Sequence, residues 1–509
     1  MAASAKLYPN YDASVWLRSC EQEVTEPLDG EITGELPAWL RGTLLRNGPG
    51  SLKVGDMRFK HIFDGSALMH RFAIHEGSVT YQCRFLQSST YKRNQAAQRI
   101  VVREFGTKAV PDPCHTIFDR VASVFKPDET ITDNAMISLY PFGDEIYAFT
   151  EAPAIHRIDP VTLDTMERKN MMDSLAFVCH TAHPHVMPNG DVYNLGMSVV
   201  KGRVQHVVVE FPFTEKGDMF ARARVVGSLR PRWPLHPAYM HTFGITANYF
   251  VIVEQPLAVS LYGVLRSQVS GAPLGDSLHW YPDQDTHIVL ISRSTGQELR
   301  RYCTEPLFFL HIINAFERDG TLVLDLCAYK DAKAIDAMYV QAVENMQSNA
   351  DYAEWFRGRP QRLELPLDAT TPARVAARPL AALGCETPRI HYDAFNGRPY
   401  RYFYAISSDV DGENPGAVIK VDTWTGATLT WSSADCYPSE PVFVPAPDAK
   451  SEDDGVLLSA LVYGRDARRV ALLVLCARSL RRRALAAFRT PSPAPKCLHG
   501  WFLPHAPQA

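Results

Sequence analysis

Ile158-Asp159-Pro160-Val161-Thr162-Leu163, Ile291-Ser292-Arg293-Ser294-Thr295-Gly296 and Val421-Asp422-Thr423-Trp424-Thr425-Gly426 are three versions of one pattern. In each, a β-branched residue closes an apolar run, a small polar turn follows, and the chain returns as another strand, as in a hairpin. The three lie about 130 residues apart, roughly twice the ~40–65 residues of a four-stranded blade with insertions. That spacing predicts an all-β chain folded as a β-propeller of about seven blades. A pair of β-sandwiches meets the same spacing and stays open at this point.

The segments between the echoes agree with a strand-rich fold. Asp144 to Phe149, Val207 to Phe211, Tyr249 to Val253, Leu322 to Leu326 and Tyr400 to Tyr404 are short β-branched and aromatic runs bounded by turn residues, and each predicts a strand. Two stretches break the pattern. Ala334 to Arg357 is rich in Ala, Met, Gln and Glu and predicts a helix. Pro113 to Phe125 places Ile117, Phe118, Val121, Val124 and Phe125 on one face of a short helix. That face either caps the core or lies in a membrane surface.

Bulk properties narrow the function class. The 509 residues carry 52 basic and 56 acidic side chains, a net charge of -4, which argues against a nucleic-acid binder, since that would need a basic footprint. No run reaches the apolar length of a bilayer span. Met1 to Trp16 lacks an apolar h-region and carries Asp12, so no secretory signal is expected. The ten cysteines are dispersed without a CxxC pair, which argues against a disulfide framework or a zinc ribbon and for a reduced, cytoplasmic protein. Length alone argues for two domains, but repeat-built folds escape that limit. The expectation is a single propeller over 1–509, its core at about 25–503.

Four of the seventeen histidines stand in informative surroundings. His183 precedes the strand Asp191 to Asn194, with His180 and His185 as rivals beside it. His241 precedes the strand at Tyr249. His311 sits in Phe308-Phe309-Leu310-His311-Ile312-Ile313-Asn314, where an unpaired imidazole would be costly. His499 begins His499-Gly500-Trp501-Phe502. Their spacing matches no metal motif, and only a propeller, whose inner strands all face one axis, offers a way for them to meet.

The chain resembles the carotenoid cleavage oxygenase family. Leu44-Leu45-Arg46-Asn47-Gly48-Pro49-Gly50, Phe63-Asp64-Gly65, Glu104-Phe105-Gly106-Thr107, Pro111-Asp112-Pro113-Cys114, Thr181-Ala182-His183-Pro184-His185, His241-Thr242-Phe243-Gly244, Tyr437-Pro438-Ser439-Glu440-Pro441, Glu452-Asp453-Asp454-Gly455 and His499-Gly500 carry the resemblance, in family order. It implies a seven-bladed propeller with an axial metal under a dome of helices and loops. It also implies Fe(2+) held by His183, His241, His311 and His499, with Glu151, Glu386 and Glu440 behind three of the imidazoles. Where many relatives carry two histidines at the third ligand, Ile312 follows His311 here.

The overall character is nearest the insect isomerooxygenase branch of that family. The resemblance therefore implies a dioxygenase that cleaves a carotenoid at its central 15,15' bond with O2, giving retinoid aldehydes with coupled trans-to-cis isomerisation. A simple all-trans-forming dioxygenase and a non-oxidative retinyl-ester isomerohydrolase are the alternatives. Phe63, Phe105 and Thr107 are expected to line the substrate tunnel, and Thr150 to crowd an open position at the metal. Cys114, Ile117, Phe118, Val121, Val124 and Phe125 are the expected membrane contact of a peripherally associated enzyme.

Overall fold

The continuous apolar strands of this chain bury both of their faces, because each blade is sandwiched between two others. In the computed structural model, which describes residues 6–113, 131–200, 202–370 and 372–505, seven sheets of four to six strands form the propeller. Side chains alternate across a strand, so successive residues enter different inter-blade cores. Phe250 and Ile252 face one neighbouring blade, while Val251 and Val253 face the other. Leu457 and Leu461 are split in the same way from Leu458 and Val462.

Blade 1 takes strands from both chain ends: Val24–Asp29, Gly42–Ser51, Ser66–His75, Ser78–Phe85 and, innermost, Gly500–Pro504. Blades 2 to 6 follow in sequence order. Their innermost elements are Ser138–Phe142, then Phe177–His180 with His185–Val186, then Gly244–Ile245, Phe308–Arg318 and Glu386–Arg389. Blade 7 runs from Cys436–Pro438 to Arg482–Arg489, and Glu31–Gly34 supplies its outermost strand. The ring is therefore closed twice, by the N-terminal strand on blade 7 and the late strand on blade 1.

The three sequence echoes occupy equivalent places. Each joins the third and fourth strands of blades 2, 4 and 6, so one blade lies between each echo and the next. Leu163, Gly296 and Gly426 take the left-handed conformation at the same step of the turn. Their amides donate to Asp159, Ser292 and Asp422. Blade 7 has the same turn at Leu480, whose amide donates to Cys476. The sandwich alternative is thereby set aside.

Short helices and loops cap one end of the ring. Here the expected helix over Ala334 to Arg357 is corrected. The segment forms Lys333–Asp336, Val340–Asn345, a 3-10 turn at Met346–Ser348 and Tyr352–Trp355. Tertiary contacts break it: Tyr339 is extended, its ring packs edge-on against His61 at 4.7 Å, and the Val340 amide donates to Lys60. The Tyr8 hydroxyl binds the carbonyls of Asn349 and Ala350 at the second break. Most of the expected amphipathic segment, including Cys114, Ile117, Phe118, Val121, Val124 and Phe125, lies outside the described residues.

Candidate metal centre and substrate cavity

The propeller brings all four candidate histidines to its axis. His183 comes from the inner edge of blade 3, His241 from blade 4, His311 from blade 5 and His499 from the start of the closing strand on blade 1. The His183 ring centroid lies 4.8, 5.1 and 4.5 Å from those of His241, His311 and His499. His311 lies 5.0 Å from both His241 and His499. The nitrogens of His183, His311 and His499 come within 4.8 Å of one another. His241 falls outside that tighter group and joins through its ring contacts with His183 and His311.

The remaining three blades supply the carboxylates. Glu151 follows the second strand of blade 2, Glu386 begins the inner strand of blade 6, and Glu440 lies between the two inner strands of blade 7. His241 Nδ1 is 2.5 Å from Glu151 Oε1, His311 Nδ1 is 2.5 Å from Glu386 Oε2, and His499 Nδ1 is 2.8 Å from Glu440 Oε1. A carboxylate on Nδ1 fixes the ring and leaves Nε2 as the free lone pair. Among the described residues no carboxylate bonds His183; its Nδ1 lies 3.3 Å from the Tyr140 hydroxyl. Every blade thus contributes one group.

Two observations fit a bound metal ion. The Nε2 atoms of His183 and His311 are buried without any hydrogen-bond partner, an arrangement that native proteins rarely leave unexplained. Burial, followed by the neighbouring imidazoles of His499, His241 and His311, pushes His183 well below the ordinary imidazole range. Burial likewise lowers His499 to about 4 against the opposing pull of Glu440. His183 and His499 are therefore held neutral, and a set of imidazole nitrogens suits iron(II), zinc or other borderline divalent ions.

The sequence reading missed the groups that hold the carboxylates. Glu440 is gripped by two arginines: Arg46 Nη1 donates to Oε2 at 3.0 Å, and Arg389 donates from Nε to Oε1 at 2.9 Å. Burial alone would raise Glu440, but Arg389, His499 and Arg46 together hold it well below the carboxylate range. Tyr239 donates to Glu151 at 2.9 Å, and Tyr329 donates to Glu386 at 2.9 Å. Arg46 stands inside a quoted motif and Tyr239 two residues before His241, but neither position announces a partner so distant in sequence. Of the rivals, His185 resolves by hydrogen bonding and His180 by position, its ring packing on Phe149 and Phe177 rather than on the cluster while its Nε2 has no partner. His185 uses both nitrogens, on the Tyr392 hydroxyl and the Phe243 carbonyl, and His180 Nδ1 is held by the Thr181 carbonyl.

A cavity of about 760 Å³ runs from His241, His311 and His499 under the cap, walled mostly by apolar side chains. Phe63, Phe105 and Thr150 line it. The rings of Phe63 and Phe105 are 5.8 Å apart and both pack on His61 at 4.8 Å, a rigid aromatic wall. Thr107 requires a correction: it is not on the wall. Its hydroxyl donates to Asp64 at 2.5 Å and accepts from the Lys60 amide at 2.8 Å, so it braces the loop behind Phe63. Val199, Leu261 and Leu265 also line the cavity, and Val199 and Leu265 stand exposed with Leu235 and Tyr262. No helix among the described residues is long and apolar enough to cross a membrane.

Residues 17–504 match the family described as retinal pigment epithelial membrane protein. The chain is 74% identical over 506 residues to a carotenoid isomerooxygenase of Galleria mellonella, with 99% of each chain covered. It is 47% identical to the carotenoid isomerooxygenase of Drosophila melanogaster, covering 99% of this chain and 95% of that one. Identity is 37% to a mouse beta,beta-carotene 15,15'-dioxygenase, covering 96% and 91%. Among solved structures, a cobalt-substituted apocarotenoid oxygenase of Synechocystis superposes with a TM-score of 0.78 at 26% identity, covering 97% of this chain and all of that one.

Proposed function

The chain belongs to the retinal pigment epithelial membrane protein family, and we propose that it is an oxygenase that splits a carotenoid at its central 15,15' double bond. Each of the two carbons takes one atom of dioxygen, so the products are two aldehydes and no other reductant is consumed. Coupled isomerisation to an 11-cis product alongside the all-trans one accompanies the cleavage. The observation that carries the reading is the convergence of four imidazoles, three of them backed by carboxylates, beside an apolar cavity that His241, His311 and His499 line.

Iron(II), held by His183, His241, His311 and His499, would supply the dioxygen chemistry. The chain's own residues do the rest. Glu151, Glu386 and Glu440 keep Nδ1 protonated and the ring planes aimed at one centre. Four neutral donors leave the ion its full charge, while Arg46 and Arg389 prevent Glu440 from turning away. Thr150, beside Glu151 on the wall, narrows the space next to the site. The Phe63–Phe105 wall holds the polyene in a dry channel, and its ring faces stabilise positive charge on a chain whose double-bond order is lowered during isomerisation.

A carotenoid reaches this cavity from a membrane, since it is insoluble in water. The exposed side chains Val199, Leu235, Tyr262 and Leu265 support a docking surface around the cavity mouth, because a cluster of exposed apolar groups marks an interaction site. Replacing Leu235, Tyr262 and Leu265 by Glu is expected to abolish co-flotation with liposomes at an unchanged melting temperature. Unchanged flotation would remove this surface from the uptake route.

Product analysis tests the reaction. Purified, iron-loaded protein given β-carotene in air should yield retinoid aldehydes in both 11-cis and all-trans form, with about one iron per chain. All-trans aldehyde alone would refute the isomerisation, and turnover of a retinyl ester without oxygen would refute the oxygenase reading. Full activity of iron-free folded protein would refute the metal centre.

A further inference from the structure

His206 stands apart from the other histidines on the cavity wall. It sits in the blade 3 strand Arg203–Phe211, opposite Met197 on one side and Leu229 on the other. It is 2% exposed, and Val204, Met197 and Cys179 line the cavity beside it. Its Nε2 is buried with no partner, and no described residue bonds its Nδ1 either. Of the two rivals next to His183, His185 spends both nitrogens on the protein and His180 spends one, its Nε2 standing without a partner; His206 spends neither. Burying a polar group without a hydrogen bond costs free energy, so such a group inside a substrate cavity is explained by what binds there.

Resting on the carotenoid reading above, we propose that His206 is the specificity-determining residue that receives a ring hydroxyl at one end of the substrate. A neutral imidazole offers one donor and one acceptor, and a hydroxyl offers the same pair in return. Burial lowers His206 to about 4, so it is neutral under ordinary conditions. The position suits an end group. His206 lies about three residues along the strand direction and two strands across from His183, roughly 14 Å at the usual sheet spacings. That is comparable to half the length of an extended carotenoid, measured from the bond at the metal to the terminal ring. The surrounding wall is apolar, so a hydroxyl entering this end without His206 would lose its water and gain nothing.

The test compares a dihydroxylated carotenoid with its unsubstituted hydrocarbon in the wild type, His206→Leu and His206→Gln. The wild type should favour the hydroxylated substrate by about fivefold or more in kcat/KM, the scale of one net hydrogen bond. His206→Leu should erase the preference by slowing the hydroxylated substrate alone, and His206→Gln, which keeps a donor and an acceptor, should restore part of it. An unchanged ratio in His206→Leu, or an equal loss on both substrates, would overturn the assignment. Titration of iron-free protein with both carotenoids, followed by their absorbance, reads the same ratio as binding constants. A wild type that binds both with the expected preference but cleaves neither would count against the oxygenase reading and leave His206 supported.

Discussion

Glu440 and the two arginines behind it show how a single residue can set a metal site. A buried carboxylate with two guanidinium partners cannot be neutralised without leaving positive charge unpaired, and breaking a buried pair of this kind costs several kcal/mol. Glu440→Gln is therefore expected to lower iron retention by about ten- to a hundredfold and to reduce stability. Glu151→Gln and Glu386→Gln, each opposite a tyrosine rather than arginines, should lower iron retention with a smaller fall in melting temperature. Metal analysis beside thermal unfolding distinguishes the two outcomes, and equal destabilisation by all three would remove the special role of Arg46 and Arg389. Tyr140→Phe should have the mildest effect, since the Tyr140 contact with His183 is long at 3.3 Å. At this scale the sequence was informative about residue type and mute about partners. His311 was legible because an imidazole in an apolar strand demands an explanation. Arg46 lies 394 positions from Glu440, and no local pattern encodes such a pairing.

The closing strand is the element on which both fold and site depend. Gly500–Pro504 pairs with Gly42–Ser51 to complete blade 1, with Arg46 opposite Gly500. A Cβ on Gly500 would stand 2.2 Å from the Leu45 carbonyl oxygen and 2.5 Å from Arg46 Cδ, so only glycine allows the strand to approach there. Gly500→Ala is expected to cost about 1–3 kcal/mol through this overpacking, read as a melting temperature lowered by a few degrees. His499→Ala should do the reverse, losing iron while the fold persists. If Gly500→Ala left the melting temperature unchanged, the strand would not be the tight seam described here. Element by element, the strands were readable because β-branched runs between turns have few other uses. The Ala334 to Arg357 helix was not: its composition favours one helix, but Tyr339 and Asn349 serve the cap around His61 and Tyr8 instead.

Across the whole molecule, burial of neutral histidines gives the fold a characteristic acid sensitivity. Burial lowers His61 and His185 to about 4 and His70 to about 3. Each binds a proton in the unfolded chain below 6.5 but resists it in the folded state. They therefore stabilise the fold above pH 6.5, and that stability is lost as pH falls toward 4. A histidine held at about 4 contributes ~3 kcal/mol at most, so the three together make the melting temperature drop steeply between pH 6.5 and 4. A flat profile in that range would show that these rings accept protons in place. A propeller of about seven blades was legible from three echoes because equivalent turns repeat at the same step of alternate blades, and the family resemblance supplied the exact count. The direction of the cavity and the identity of its wall were not, since both depend on which loops lie over the ring. The double closure also bears on the order of synthesis. His499 and the strand that carries it leave the ribosome after all seven blades have been started, so a nascent chain has no complete ligand set. The last imidazole and the last strand arrive together, which ties assembly of the reactive centre to sealing of the ring around it.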